Sequence, residues 1–301
     1  MTTTAVVPPN RVVMGILFMC AAGSLFPVMN GLVQVLSPRY STEQLVWARV
    51  TSHFLFILAL FGTTFGIGVL RTKQLKWQIG RSMVLLMSTG LFFTGVKHLP
   101  LATASSISFT APFIVALLAW PMLGERVSRA RFVAVAIGFL GVLIVMRPGS
   151  EVQHWASLLI LGSAACYAIY QVVTRLLAGY DLPETSAIYS AIVGTVAMSL
   201  LVPFFWTTPL TWADAGLMFS LGIIGGLGHY CVARAMVYAP ANVIAPFAYW
   251  QMIGAVIVGY IITGLLPDLS TWIGAGIIVG GGLYIAWCET GRRSEVRANP
   301  A

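Results

Sequence analysis

The chain has 301 residues, of which 58% are hydrophobic and only 9% are charged, and its net charge is +8. Soluble domains carry about 25% charged residues, so this composition excludes a protein that is surrounded by water and predicts one embedded in lipid. The basic residues lie between apolar stretches and form no single patch, so the positive charge does not indicate nucleic-acid binding.

Ten apolar stretches approach the roughly 20 residues that a membrane helix needs. In chain order they are Val12–Leu36, Gln44–Phe65, Ile79–Val96, Leu101–Leu123, Arg131–Met146, Ala156–Leu177, Thr185–Trp206, Trp212–Tyr238, Val243–Leu266 and Thr271–Trp287. The connections between them are short. We therefore predict an all-α membrane protein with ten transmembrane helices, five in each half of the chain.

The second half of the chain repeats features of the first at a nearly constant offset. Gly141 corresponds to Gly281, and Phe109-Thr110 corresponds to Tyr249-Trp250. The shared offset predicts two five-helix repeats, residues 1–150 and residues 151–301, the second ending in a short cytoplasmic tail. Duplicated helix bundles are typical of secondary transporters, whose substrate lies between the halves near the membrane midplane.

Lysine and arginine residues are concentrated in alternate loops, which predicts the orientation in the membrane. The basic loops and tail include Arg71, Lys73, Lys76, Arg81, Arg126, Arg129, Arg131, Arg292 and Arg293. We expect both termini to be cytoplasmic, in a multi-pass protein of a bacterial inner membrane. Because five helices is an odd number, the two halves are expected to insert with opposite orientations.

Several motifs resemble one transporter family. They are the segment from Glu43 to Arg49, the segment from Leu99 to Pro112, the Leu-Gly-Glu-Arg turn that begins at Leu123, and Tyr238-Ala-Pro-Ala241. Together they resemble the EamA branch of the drug/metabolite transporter superfamily, and the chain is most similar to its YddG-type exporters of aromatic and other amino acids. The resemblance implies ten helices in two inverted halves around a central cavity. It also implies that the first, third, fourth, sixth, eighth and ninth helices line this cavity, and that substrate leaves the cytoplasm.

Two polar stripes inside the predicted spans are candidates for the cavity wall. Tyr167, Tyr170 and Gln171 share one face of the sixth span, where such groups either line a cavity or join helices. We favour the cavity, because these side chains are large. In the first span, Pro27 and Asn30 lie on one stripe. Pro27 kinks the helix, either toward the cavity or only for packing.

Aromatic residues and one histidine complete the candidate site. Phe109 and its repeat equivalent Tyr249 lie well inside their spans, beside Trp250 and Gln251, and would form aromatic walls; as an alternative, Tyr and Trp anchor helices at the membrane interface. His229 either carries protons or binds a carboxylate, or it is neutral and hydrogen-bonded, which we favour. The predicted substrate-binding residues are Pro27, Asn30, Phe109, Tyr167, Tyr170, Gln171, His229, Tyr249, Trp250 and Gln251.

The placement of charged residues narrows the function. All nine acidic residues fall in loops or at span ends, and no lysine or arginine is predicted at mid-span. Arg49, near the end of the second span, either reaches the interface or contacts a carboxylate. A site without buried charge disfavours cationic drugs and phosphorylated substrates. We therefore expect export of small neutral or zwitterionic metabolites, aromatic amino acids among them, by alternating access.

Other functional classes find less support in the sequence. The alternative is efflux of drugs or other metabolites, with proton coupling through His229. No clustered acid, base and nucleophile indicates an enzyme, and no spacing indicates a metal or another cofactor. The expected partners are a small-molecule substrate and the lipid bilayer, with no nucleic acid, for a monomer or weak homodimer.

Overall fold

The computed structural model describes residues 9–65, 70–123, 129–147, 154–177, 180–181, 183–239 and 241–298. Every regular element within these ranges is helical, and they contain no strand. The rest of the Leu-Gly-Glu-Arg turn after Leu123 and the predicted repeat boundary at residues 150 and 151 lie outside the described residues.

The described chain forms a succession of α-helices. They are α1 (Pro9–Leu36), α2 (Thr42–Phe65), α3 (Leu75–Val96), α4 (Leu101–Ser108), α5 (Ala111–Leu123), α6 (Arg129–Met146), α7 (His154–Leu177), α8 (Pro183–Leu201), α9 (Trp212–Tyr238), α10 (Ala241–Ile244), α11 (Trp250–Thr263) and α12 (Leu269–Ala298). One 3₁₀ turn, Val202–Phe205, continues α8, and another, Ala245–Tyr249, joins α10 to α11.

Seven stretches of helix in the described residues are long and apolar enough to cross a membrane. They are Val12–Leu36, Leu75–Val96, Leu101–Leu118, Trp155–Leu177, Thr185–Phe205, Trp212–Tyr238 and Pro246–Thr263, and two shorter apolar stretches are Phe132–Met146 and Leu269–Tyr284. Large apolar side chains cover the outside of the bundle; Leu200 and Ile261, for example, are 73% and 74% exposed. Such a surface is suited to lipid and not to water.

Helices from the two halves of the chain pack against one another. α1 packs on α9 and α11, α3 packs on α7 and α8, α2 packs on α8 and α9, and α6 packs on α12. Glycines permit the closest approach between α6 and α12. A Cβ atom on Gly141 would lie 2.9 Å from the carbonyl oxygen of Gly274, and one on Gly281 would lie 3.3 Å from that of Ala134. The two backbones are therefore in direct contact, as small residues allow in membrane bundles.

Two predicted spans are interrupted, the fourth near its middle and the ninth near its start. α4 ends at Ser108 and α5 begins at Ala111, because the ring of Pro112 clashes with the carbonyl group of residue 108 in a continuous helix. Pro246 likewise interrupts the ninth predicted span, where the 3₁₀ turn separates α10 from α11. The Phe109 and Tyr249 positions that the repeat offset relates both lie at these breaks.

The predicted start of the third span is wrong by one turn. α3 begins at Leu75, not at Ile79, so Lys76 and Arg81 belong to the helix and not to a basic loop. The predicted span left out Lys76, and it contained Arg81 although that residue was also counted with the basic loop. Arg81 is in fact 2% exposed, because hydroxyl and carbonyl groups of α7 and α8 accept its hydrogen bonds.

A buried carboxylate ties the turn after α1 to the start of α9. Tyr40 Oη donates a hydrogen bond to Asp214 Oδ2 at 2.8 Å, and Arg39 Nη1 donates to the same oxygen at 2.9 Å. The Leu210 N–H donates to Tyr40 Oη at 2.8 Å. Asp214 and Tyr40 are both buried, whereas the Arg39 side chain is 42% exposed. We call these four residues the Asp214 network.

A more exposed ion pair joins the end of α6 to the loop before α12. Arg147 pairs with Asp268, and about half of each side chain is exposed. The Thr271 N–H donates a hydrogen bond to Asp268 Oδ1 at 2.9 Å. Burial alone would raise the pKa of Asp268, but the Thr271 hydrogen bonds and the Arg147 charge outweigh it and lower the pKa.

Candidate functional site

The two tyrosines predicted on one face of α7 stack on each other. The rings of Tyr167 and Tyr170 lie 5.7 Å apart, centroid to centroid, and are nearly parallel. The guanidinium of Arg81 in α3 lies 4.9 Å from the Tyr170 ring centroid, in cation–π contact. This packing of α3 on α7 fixes the tyrosine pair, and Tyr167 keeps 37% of its surface exposed.

His229 of α9 lies among aromatic rings from α1 and α2. It meets Phe26 edge to face at 5.1 Å and stacks on His53 at 5.9 Å. The glycines before it make this approach possible, because a Cβ atom on Gly226 or Gly228 would lie 2.8 Å from a phenylalanine ring of the neighbouring helix. His229 nevertheless remains exposed to a water-sized molecule, so it borders open space.

Arg49 of α2 lies between these two groups. It precedes His53 by four residues, so the two side chains share a helix face. Arg49 Nη1 donates a hydrogen bond to Thr89 of α3, and its Nε would lie 3.8 Å from a Cβ atom on Gly225 of α9, the helix that carries His229. Helix α2 has risen about 10 Å by this residue, roughly a third of the membrane. We call Arg49, His53, Tyr167, Tyr170 and His229 the central polar cluster.

A second aromatic group lies at the two helix breaks. The rings of Phe109 and Tyr249 are 4.9 Å apart, so these repeat-related residues meet in the structure. Trp250 donates a hydrogen bond from Nε1 to Ser24 Oγ of α1 at 3.0 Å and is 44% exposed. Both broken helices therefore contribute aromatic side chains at comparable depth, as discontinuous helices do in transporters.

The remaining predicted site residues lie apart from the central polar cluster or contact it less directly. Pro27 and Asn30 are buried. A Cβ atom on Gly254 would lie 2.9 Å from the Pro27 ring, which makes this proline a packing residue between α1 and α11. Gln251 presents its backbone nitrogen to Gly23 of α1, and Gln171 is half-buried on α7.

No lysine or arginine is predicted at mid-span from the sequence, and in the structure two arginines lie about a third of the way along their helices. Arg49 and Arg81 both lie inside helices, and Arg81 is buried. Phe26, His53 and Arg81 are contact residues that the sequence analysis did not include. The spacing of Arg49 and His53 on one helix face was the available signal, because a lipid-facing stripe does not carry two such polar groups.

The acidic side chains that the structure describes lie away from this cluster. They are Glu43, Asp181, Asp214 and Asp268, all at helix ends or in loops. No three His, Cys, Asp or Glu side chains within the described ranges come together as a metal site. A groove of about 480 Å³ on the outside of α6 and α12 is lined by five aliphatic side chains, among them Leu140 and Ile277. It offers no polar contact to a ligand and faces the lipid.

Comparison with known proteins identifies relatives that are named as transporters of small molecules. The riboflavin transporter of Rhizobium johnstonii is 28% identical over 295 residues, which cover 97% of each chain. The S-adenosylmethionine uptake transporter of Rickettsia bellii is 28% identical over 77% of this chain and 80% of that protein. The pseudopaline exporter CntI of Pseudomonas aeruginosa is 26% identical over 88% of this chain and 93% of that protein. These names support small-molecule transport and do not support the narrower resemblance to amino-acid exporters.

A solved crystal structure has the same fold. It matches with a TM-score of 0.63 at 18% identity and covers 91% of this chain and 96% of that chain. The sequence profile of the EamA-like transporter family matches twice, at residues 12–147 and again at residues 154–287. Because the two matches cover most of the sequence, the chain belongs to the EamA-like transporter family and is a small-molecule transporter built from two repeats.

Proposed function

We propose that the protein is a secondary transporter that moves small zwitterionic or neutral metabolites by alternating access through the space between its repeats. The central polar cluster is the observation that carries this proposal. Its five side chains come from α2, α7 and α9, helices of both repeats. The two histidines stack on each other across α2 and α9, and the two tyrosines stack on each other along α7. Polar groups at this depth are costly unless they serve a substrate pathway.

The lining suits a substrate with an apolar or aromatic part and a polar head. The Tyr167–Tyr170 pair and the Phe109–Tyr249 pair offer ring faces. The two histidines and the arginine offer hydrogen bonds to a head group. Pockets of this kind bind drug-sized ligands mainly through apolar walls with a few placed polar groups.

The helix packing supports an inverted relation between the repeats. If the two halves are exchanged, α1 takes the place of α7 and α9 takes the place of α3. The contact between α1 and α9 then corresponds to the contact between α7 and α3, and both contacts are extensive. Under the same exchange, the contact between Gly141 and Gly274 corresponds to the contact between Gly281 and Ala134. Both are close backbone contacts. Such a two-fold relation, with ten membrane passes, allows the same site to open to either side when the repeats rock.

The relatives widen the substrate class. Riboflavin and S-adenosylmethionine, named for two relatives, both carry a flat ring system and polar groups. Aromatic amino acids belong to the same chemical class and remain a specific candidate. The basic loops favour a bacterial inner membrane with both termini cytoplasmic. Export is the direction that the resemblance to exporters implies, and the pseudopaline exporter among the relatives is consistent with it.

Counterflow into proteoliposomes tests the function. Labelled tryptophan, methionine, threonine, riboflavin and S-adenosylmethionine are compared with a quaternary ammonium dye. We expect at least one metabolite to exchange, and Tyr167→Ala to slow its exchange about fivefold, since aromatic contacts contribute on the order of 1 kcal/mol. Tyr180→Ala is the matched control, because Tyr180 is 72% exposed in a loop.

Two results would refute the proposal. One is dye uptake with no metabolite exchange, which would favour drug efflux. The other is unchanged exchange in both the Tyr167→Ala and Tyr170→Ala variants, which would show that the substrate does not pass the central polar cluster. A dependence on the pH gradient that disappears in His229→Ala would assign proton coupling to that histidine.

A further inference from the structure

The guanidinium of Arg49 is under-satisfied within the described residues. Nη1 donates a hydrogen bond to Thr89 Oγ1 at 3.2 Å. Nε is buried and has no hydrogen-bond partner. The guanidinium carbon also lies 5.9 Å from the Phe93 ring centroid. An arginine has five N–H donors, so most of the hydrogen-bonding capacity of this one is unused.

Two other arginines in the described residues have better partners than Arg49. Arg81 donates to Thr174 Oγ1 and Ser190 Oγ, both at 2.9 Å, and to the carbonyl oxygen of Ser186. Arg39 pairs with Asp214. A third arginine, Arg234, donates to Tyr238 Oη at 2.6 Å near the end of α9, and its buried Nε likewise has no hydrogen-bond partner. Arg49 has neither a carboxylate nor a comparable set of acceptors.

No carboxylate among the described side chains is free to reach Arg49. Asp214 is held by the Asp214 network, Asp268 pairs with Arg147, and Asp181 accepts hydrogen bonds from Thr72 and Gln78. Glu43 lies six residues before Arg49 in α2, about 9 Å away along the helix axis and on a different face. The groups that the Arg49 side chain meets are Thr89 and Phe93 of α3 and Gly225 of α9, whose Cβ position would lie 3.8 Å from Arg49 Nε. None of them carries a negative charge at neutral pH.

We propose that Arg49 binds the carboxylate of the transported substrate, an assignment that rests on the function proposed above. A half-buried cation without a counterion is costly, and a bound carboxylate supplies the missing charge through paired N–H···O bonds. The rings of Tyr167 and Tyr170 then face the rest of the substrate. The substrate class becomes zwitterionic or monoanionic carboxylates with an apolar or aromatic part.

A phosphate group fits this place less well. A dianion needs several cationic donors, and Arg81, the other arginine near the cluster, already donates to three groups of α7 and α8. A single available guanidinium therefore matches a single negative charge.

Matched ligands test the assignment by binding, independently of transport. The full-length protein in lipid nanodiscs is titrated with N-acetyl-L-tryptophan, its neutral amide N-acetyl-L-tryptophanamide, and phenyl phosphate, with the thermal midpoint as readout. We expect the acid to bind at least tenfold more tightly than the amide, because a hydrogen bond to a charged group has about this effect. Arg49→Gln should abolish the difference, and Arg49→Lys should keep it at reduced affinity.

Arg147→Gln is the matched control, since it removes an arginine that lies outside the cluster and pairs with Asp268. It should leave the preference for the acid unchanged. Equal binding of acid and amide to the unmodified protein, absence of binding by either, or an acid preference that persists in Arg49→Gln would overturn the assignment. Tighter, Arg49-dependent binding of phenyl phosphate would overturn the carboxylate class.

Counterflow separates this proposal from the broader one. If no metabolite exchanges but the acid still binds through Arg49, the transport proposal fails and the anion site stands. If metabolites exchange at the same rate in Arg49→Gln, and acid and amide bind alike, the anion site fails and the transport proposal stands.

Discussion

Removal of the Asp214 carboxylate should destabilise the protein through a single buried network. Asp214 accepts hydrogen bonds from Tyr40 and from Arg39, and these tie the first repeat to the second. Asp214→Ala removes both interactions at once. The Thr211 hydroxyl still accepts a hydrogen bond from the backbone N–H of residue 214, so the start of α9 keeps its cap.

The expected loss of stability depends on how exposed the two donors, Tyr40 and Arg39, are to solvent. The buried Tyr40 hydroxyl loses a hydrogen bond to a charged acceptor, which costs about 1.5–3 kcal/mol. The Arg39 side chain is 42% exposed. Solvent screening therefore reduces the contribution of the Arg39–Asp214 ion pair to stability to below about 1 kcal/mol. We therefore expect Asp214→Ala to lower the free energy of unfolding by about 2–4 kcal/mol, and Asp214→Asn to lower it by less.

Unfolding of the purified protein by SDS in mixed micelles, followed by tryptophan fluorescence, measures this change. Asp268→Asn is the control, because it removes the charge of an exposed aspartate that also pairs with arginine. We expect a change below about 0.5 kcal/mol for the control at pH 7. If Asp214→Ala is as stable as Asp268→Asn, the network does not join the repeats energetically and the reasoning fails.

Three further predictions concern packing, pH and one hydrogen bond. Gly141→Val should lower the free energy of unfolding by about 1–3 kcal/mol. Gly276→Val should lower it by less, because a Cβ atom there would meet nothing within 4 Å. Equal thermal midpoints of the two variants would contradict the close packing of α6 and α12. The lowered pKa of Asp268 implies a contribution to stability that is present above the unfolded pKa of about 3.9 and is lost as the pH falls through the lower folded value. The difference in midpoint between the wild type and Asp268→Asn should therefore shrink between pH 6 and pH 3, and a growing difference would reverse the assigned sign. In a double-mutant cycle of Trp250→Phe and Ser24→Ala, the coupling energy should be about 0.5–1 kcal/mol, and zero coupling would mean that the hydrogen bond contributes nothing to stability.

Hydrophobic patterning predicted most of the helices to within a few residues. The eighth predicted span coincides with α9, and the first and second differ from α1 and α2 by three residues or fewer. The signal is strong because every backbone polar group must be satisfied inside lipid, so an apolar stretch of this length has few alternatives to a helix. The repeat offset likewise related Phe109 to Tyr249 before their contact was visible.

Breaks and buried charges were the features that the patterning missed. The proline-induced breaks between α4 and α5 and before α11 depend on local backbone geometry, which hydropathy does not report. The burial of Arg81 depends on acceptors in α7 and α8, about 100 residues away along the chain, and no local pattern reveals such partners. The contact of His53 with His229 arises in the same way, from helices that meet only in three dimensions.

The 3₁₀ turn before α11 changes the directions in which the side chains of α11 point. A 3₁₀ helix advances 120° per residue and an α-helix about 100°, so the five residues Ala245–Tyr249 rotate the downstream face by roughly 100° relative to an uninterrupted helix. A helical wheel drawn through the whole ninth span would therefore assign α11 to the wrong quarter of the circle. Gly254 and Val258, which meet α1 at Pro27 and Gly31, therefore owe their direction to the turn around Pro246.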